Sequence, residues 1–371
     1  MKVLFCSPFS SEEGVVKGGI NTWGRHIMSY YREYAIDDVN LIPISFDRST
    51  LVSESISIMS RVLEGVREQS NPIKMAICKM DVDKPDVTHI CTSAGYGLFR
   101  DLLLVKAAKA RNIKTVVHCH FGRIPELVKL KNWEWKLLSK VLRMCDVAIV
   151  MNKSSETTLL AEGFTNVAYL PNPLGMNIIE QIAKKRDAQK RISRNLLYVG
   201  HLYRTKGVFE LVEGCSRIPN IKLRLVGKYL PQMKYYLENI ATRTGNSSWL
   251  TFVGELPHNE VIEELQKADM FVFPSYSEGF PNVILEAMAC GCPIVSSNVG
   301  AIPEMLDIDG DACGMCFVPQ KADEVYNAVK CLIDNEQLKR EYAAKAQKRV
   351  YSLYAMPKVW KQIVDIWRHA L

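Results

Sequence analysis

Short apolar runs alternate with helical patterns from one end of the chain to the other, and this alternation limits the fold more than any other feature. In the first half, 2–5, 39–44, 87–90, 114–118 and 147–150 read as strands, with helical periodicity between them at 21–33 and 98–111. The pattern breaks at Leu170-Pro171-Asn172-Pro173-Leu174-Gly175, where two prolines with Asn and Gly mark a loop. A charged stretch over 184–194 follows, and this region reads as a hinge between domains. The alternation then restarts, with strands at 195–199, 222–226, 250–253, 270–272 and 294–296. Such alternation predicts parallel sheets covered on both faces. The 371 residues suffice for two domains of ordinary size. The expected class is therefore α/β, two Rossmann-like domains facing a central cleft, because sheets of this kind bind ligands beyond the carboxyl ends of their strands.

Composition narrows what such a chain does. Hydrophobic content of 48% and charged content of 23% fit a globular protein. No apolar run approaches the roughly 18–20 residues of a membrane-spanning helix. Met1-Lys2-Val3-Leu4-Phe5-Cys6-Ser7-Pro8 reads as a buried first strand rather than a signal peptide, so the expected location is cytoplasmic. The eleven cysteines are scattered and mostly sit in apolar runs, as thiols of a reducing compartment do. Cys290-x-Cys292 and Cys313-x-x-Cys316 have zinc-compatible spacing, but the first pair falls at a helix end and strand start that another motif explains. A net charge of +7 suits anionic partners, and no nucleic-acid-binding motif accompanies it.

The strongest motif runs from Pro274 to Pro293. A buried strand leads into the polar loop Ser275-Tyr276-Ser277-Glu278-Gly279-Phe280-Pro281, then into a helix that stops at Gly291, with Pro293 barring its resumption. The amino end of that helix therefore points out of the strand ends. Its N–H groups at Asn282 and Val283, together with the helix dipole, favour an anion there. Pro281 lacks an N–H, which costs little at a helix start. Glu278 lies in the loop and Glu286 about one turn into the helix, eight residues on. Each carboxylate can accept two hydrogen bonds from a vicinal diol, and a ribose and a hexose each offer one.

The segment resembles the E-x7-E element of retaining GT-B glycosyltransferases, in the large family 4 group (glycosyl transferases group 1). The resemblance implies that Glu278 contacts a donor sugar and Glu286 the ribose of a nucleotide-diphosphate sugar. Phe280, Pro281, Asn282 and Val283 would line its sugar and phosphates, although Pro281 stands where the family commonly has Gly and cannot donate. Val199-Gly200-His201-Leu202-Tyr203-Arg204-Thr205-Lys206-Gly207 is similar to the family's G-x-L-x-x-x-K-G element. There Arg204 and Lys206, a planar fork and a point charge, would neutralise the leaving diphosphate. Gly18-Gly19 follows the first strand, where the family has a glycine pair near the donor phosphate or the acceptor, which places Gly19 in the site. Glu255, in Gly254-Glu255-Leu256-Pro257-His258, lies where the nucleobase is usually gripped. Leu170-Pro171-Asn172-Pro173 and Gly300-Ala301-Ile302-Pro303-Glu304 resemble the family's hinge and G-x-P-E turns.

Val116-Val117-His118-Cys119-His120 ends a strand, and the family often carries a His there near the reacting sugar. His120 aligns better than His118. The i, i+2 spacing puts both on one face of the strand, which also suits a metal, but no acidic cluster or D-x-D element accompanies them. Metal-independent catalysis is expected, with no cofactor and the nucleotide-diphosphate sugar, UDP by preference, as donor substrate.

The family frame divides the chain into an acceptor-binding domain (1–173), a nucleotide-sugar-binding domain (174–352) and a helix crossing back to the first domain (353–371). It implies transfer of a sugar to an acceptor hydroxyl with retention, in bacterial polysaccharide, O-antigen, lipopolysaccharide or glycolipid assembly. Two alternatives stay open at this stage: a nucleotide-sugar 2-epimerase-like isomerase, and a non-catalytic nucleotide-sugar-binding subunit. Finally, 125–144 has helical periodicity with Lys129, Lys136, Lys140 and Arg143 on one face, Trp133 at its edge, and Leu130, Leu137, Leu138 and Val141 opposite. Six Lys/Arg against two Glu over 123–143 leave +4, which suits anionic lipid headgroups and a glycan or lipid-linked acceptor at the inner face of a membrane.

Overall fold

The structure is a computed structural model that describes residues 1–9, 18–34, 38–46, 58–184, 191–243, 245 and 247–371. The chain divides into two compact units, Met1–Asn172 with Met356–Leu371, and Pro173–Ala355.

In the N-terminal unit, β1 (Lys2–Ser7), β2 (Asn40–Ser45), β3 (Val87–Thr92), β4 (Lys114–Cys119), β5 (Val147–Val150) and β6 (Val167–Tyr169) form a sheet in the order β2-β1-β3-β4-β5-β6. Every pairing is parallel. The central strands are near-continuous apolar runs because both faces are covered; all six residues of β3 are buried. One face carries Leu4, Cys6, Ile90, Val117 and Cys119 in a core completed by Leu98, Leu104, Leu138 and Val141. Phe5, His89 and His118 alternate to the opposite face, where they meet Trp23 of helix Gly19–Glu33 and Trp367 of helix Met356–Ala370.

The C-terminal unit repeats the plan. Its strands are β7 (Ile192–Val199), β8 (Lys222–Val226), β9 (Leu250–Gly254), β10 (Ala268–Phe273), β11 (Ile294–Ser297), the ribbon strands β12 (Asp307–Ile308) and β13 (Asp311–Ala312), and β14 (Met315–Phe317). The sheet order is β14-β11-β10-β7-β8-β9, again parallel throughout. Strand order reverses direction between β7 and β10, and in such sheets the connecting loops part at that point to leave a crevice at the carboxyl ends.

Two expectations need correction. The stretch 125–144 is not one helix: it forms helices Ile124–Leu130 and Trp133–Met144, broken where Lys131 turns left-handed (φ 47°) and Asn132 caps the second by accepting from the Trp135 N–H. The break rotates the phase, and Leu130 is exposed rather than turned to the core. The units part at Asn172 and Pro173, helix Met176–Lys184 follows, and β7 begins at Ile192; residues 185–190 lie outside the described residues.

Candidate active site

The loops leaving β7 and β10 meet at the strand-order reversal. Backbone contacts lock them together: the Tyr276 N–H donates to the Thr205 carbonyl at 3.0 Å. Gly207 (φ 70°) lies so close that an added Cβ would come within 2.0 Å of the Pro274 carbonyl oxygen, so only glycine fits. Beneath the loop, buried hydroxyls hold the chain as it leaves the sheet. Ser296 Oγ donates to the Phe273 carbonyl (2.8 Å) and Ser297 Oγ to that of Ser275 (2.6 Å). From the other side, the Ala301 N–H donates to the Gly279 carbonyl at 2.9 Å, and Gly300 (φ 58°) approaches so closely that a Cβ would sit 2.2 Å from the Glu278 carbonyl oxygen. The Gly300–Pro303 turn is thus a backstop for the Glu278 loop.

This scaffold joins two side chains far apart in sequence: Lys206 Nζ lies 2.5 Å from Glu278 Oε1. Arg204, two residues before, is exposed on the short 3-10 turn Arg204–Lys206, with its guanidinium 4.8 Å from the centre of the Phe209 ring. Tyr276 shores up the same corner by donating its hydroxyl to Glu210 Oε1 at 2.8 Å. Burial and that bond to a carboxylate push the phenol up to about 12.

Helix Asn282–Ala289 starts directly after Pro281, whose own conformation is extended, and no side chain caps its amino end. Phe280 is buried against Tyr354, ring centres 5.5 Å apart, which anchors the loop just before the helix. Glu286 is buried one turn in, and its Oε1 lies 3.0 Å from His258 Nε2 at the start of helix His258–Lys267. The sequence puts His258 only in the expected nucleobase region. Its pairing with Glu286 spans 28 residues and carries no local signal. Glu255 is exposed in the loop after β9.

Gly19 and His120 belong to the N-terminal unit. Gly18 adopts φ 104° and opens helix Gly19–Glu33, while the space around Gly19 is open. One turn on, Trp23 packs on His120 (4.6 Å between ring centres) and on His118 (4.8 Å), so the glycine pair and the histidines are parts of one assembly. The two imidazoles share a face, 3.9 Å apart. His118 is fully buried and His120 keeps some exposure. Burial pushes both well below the ordinary imidazole range, and each is further lowered by neighbouring histidines.

Among the described residues, His89, Cys91 and His118 bring three potential metal donors within 4.8 Å of one another. The chemistry of the set does not suit a metal. Trp367 Nε1–H donates to His89 Nδ1 at 3.0 Å, so the neutral ring carries its proton on Nε2 and neither nitrogen is free.

Residues 179–349 match the family described as Glycosyl transferases group 1. A putative teichuronic acid biosynthesis glycosyltransferase of Bacillus subtilis is 32% identical over 150 residues, 39% of this chain and 36% of that protein. An uncharacterized glycosyltransferase of Methanocaldococcus jannaschii is 29% identical over 179 residues, 47% of this chain and 45% of that protein. The chain thus spans less than half the length of these curated relatives. Among solved structures, Anabaena HepE in complex with UDP aligns over 98% of this chain and 99% of its own at a TM-score of 0.71, with 18% identity. That likeness shows the fold, the α/β GT-B class with two Rossmann-like domains.

Proposed function

We infer that this chain, whose residues 179–349 belong to the group 1 glycosyl transferases, moves a sugar from a nucleotide-diphosphate sugar to an acceptor hydroxyl. The observation that carries the reading is the 2.5 Å pair of Lys206 and Glu278 at the strand-order reversal, beside the uncapped amino end of helix Asn282–Ala289. A cation, a carboxylate and a helix start converge where a diphosphate and a hydroxylated sugar would lie side by side.

In this reading Lys206 and Arg204 meet the diphosphate, together with N–H groups of the first turn at Asn282 and Val283. As the bond to the sugar breaks, negative charge grows on the leaving phosphate, and fixed cations and dipoles aimed at it lower the barrier. Glu278, released from Lys206 when phosphate arrives, accepts hydrogen bonds from sugar hydroxyls. Glu286, held by His258, accepts from the ribose diol. The family resemblance assigns His120 to the reacting sugar; the leaving phosphate takes the acceptor proton, with retention at the anomeric carbon. Two cations supply the charge that a metal would otherwise bring, so turnover is expected to survive chelation by EDTA. UDP is the expected diphosphate, a nucleotide that HepE also binds. A glycan or lipid-linked acceptor is the expected second substrate, as in assembly of surface polysaccharide, lipopolysaccharide or glycolipid.

Calorimetric titration with UDP, GDP, ADP and CMP, beside Glu286→Ala, tests this. One diphosphate should bind the native chain, and the variant should lose it. No binding by any of them refutes the donor site. Donor turnover without any acceptor would point instead to a 2-epimerase-like isomerase, and tight donor binding that never turns over to a non-catalytic binding subunit.

A further inference from the structure

The N-terminal unit carries a surface that the donor chemistry leaves unused. Helices Gly97–Lys109 and Trp133–Met144 pack side by side on the sheet. Their outer faces are not polar where they meet. Tyr96 is 76% exposed, Phe99 54%, Leu103 54%, Trp133 48% and Leu130 67%. The 96, 99, 103 spacing is one stripe of a helix. The Tyr96 and Phe99 rings both stack on Trp133, at 5.3 Å and 6.5 Å between centres. Three aromatic rings assembled against each other and left open to water form a contiguous apolar patch, which single scattered hydrophobics do not.

The patch is held in place by a buried carboxylate. Glu134 accepts from the Gly95 N–H at 2.7 Å and from both terminal nitrogens of Arg123 at 2.8 and 2.6 Å. That one side chain ties together the turn after β3, the turn after β4 and the start of helix Trp133–Met144. The guanidinium holds the Glu134 carboxyl below the usual carboxylate range, so the tie stays ionised at neutral pH.

The helices that carry the rings, and the helix and turn leading into the second, also carry the exposed side chains of Lys106, Lys129, Lys131, Lys136 and Lys140. None of the five is paired with a carboxylate among the described residues. Among the described residues of 96–109 and 123–144, Glu126 is the exposed acid. Trp and Tyr rings favour the headgroup level of a bilayer, and unpaired lysines beside them favour anionic headgroups.

We propose that this face, Tyr96, Phe99 and Trp133 with these lysines, docks the chain on an anionic lipid bilayer. A protein partner would be met by charges of both signs that fix its register, whereas a lipid surface asks only for a cationic rim and an insertable centre. Docking sets the carboxyl ends of β3 and β4 close to the headgroups, within reach of an acceptor carried on a lipid. That last consequence rests on the transferase reading; the docking itself does not.

Flotation of the full chain with phosphatidylcholine vesicles, with and without phosphatidylglycerol, tests the proposal. The chain is expected to float with the anionic vesicles and not with the neutral ones. Each lysine near an anionic surface contributes roughly a fivefold factor to binding. Changing Lys129, Lys131 and Lys136 together to Glu should therefore weaken it by about 100-fold or more. Phe99→Ala with Trp133→Ala should abolish flotation although the charges remain, and quenching of tryptophan fluorescence by brominated lipid should disappear with Trp133→Ala. Nucleotide-diphosphate affinity, measured on the same samples, reports separately on the donor site, and the urea midpoint of each variant on folding. A native chain that stays at the bottom of the gradient overturns the proposal, as does a triple-Glu variant that floats like the native one. So does a native dimer that falls apart in the Phe99/Trp133 variant while lipid binding is absent, which would make the patch a protein interface.

Discussion

Glu278→Gln should separate binding of the diphosphate from use of the sugar. The native pair sits at 2.5 Å, with Lys206 30% and Glu278 14% exposed. At an effective dielectric of about 20, the bare Coulomb attraction at that distance is roughly 7 kcal/mol. Desolvation and the fixing of two flexible side chains return most of it, and partial exposure leaves a net of about 1 kcal/mol. A phosphate that claims Lys206 must give that up. Gln keeps the shape of Glu278 but not its charge, so bare UDP should bind about fivefold more tightly to the variant. The sugar step should move the other way. Losing a carboxylate acceptor to hydroxyls that it grips in the transition state costs about 1.5–3 kcal/mol, or about 10- to 150-fold in turnover. Calorimetry with UDP, beside an assay of UDP release from UDP-sugar and acceptor, reads both. A variant that binds UDP several-fold more weakly than native would show that Glu278 does not compete with phosphate for Lys206. A variant that keeps native turnover would remove it from the sugar.

Gly300→Ala puts a methyl 2.2 Å from the Glu278 carbonyl oxygen at φ 58°, so it should destabilise by about 1–3 kcal/mol and weaken UDP binding by shifting the loop; native-like denaturation and affinity would mean the turn is no backstop. Arg204→Ala removes an exposed cation whose described contact is the Phe209 ring, so UDP affinity should fall while the urea midpoint holds; a reversed pattern would make Arg204 structural. The N-terminal unit should lose stability in acid. Burial drives His89 down to about 3 from 6.5, so below pH 6.5 the unfolded chain takes a proton that the folded chain refuses. Stability is complete above that pH and falls by about 1.4 kcal/mol per unit as pH drops toward 3, about 2 kcal/mol at pH 5 from His89 alone. His118 adds in the same direction, so His118→Phe should flatten the loss between urea titrations at pH 7.5 and pH 5, and an equal loss in both chains would refute this account.

What the sequence disclosed follows from how local each signal is. The strand–helix alternation comes from side-chain burial every few residues, so the ten longest strands were legible, while the three-residue edges Val167–Tyr169 and Met315–Phe317 were too short to stand out. The Glu278–Glu286 motif was legible because a strand, loop and helix run in unbroken order. Lys206 was legible in its own motif, but its pairing with Glu278 was not, nor was that of His258 with Glu286. Lys206 stands 72 residues before Glu278, and which strand lies beside β10 depends on the sheet order, which no local pattern encodes. The same limit hid the Trp23–His89–Trp367 assembly, joined over as many as 278 residues by a hydrogen bond that fixes the His89 tautomer. The basic stripe over 125–144 shows the converse error. Its charge is legible in the sequence, but the helical period does not run through Lys131, where the backbone turns left-handed. The part that matters most for a surface, the aromatic stack, needed Tyr96 and Phe99 from a different helix. A one-dimensional pattern can find a cationic face; only the packing of two helices shows that the face has an apolar centre.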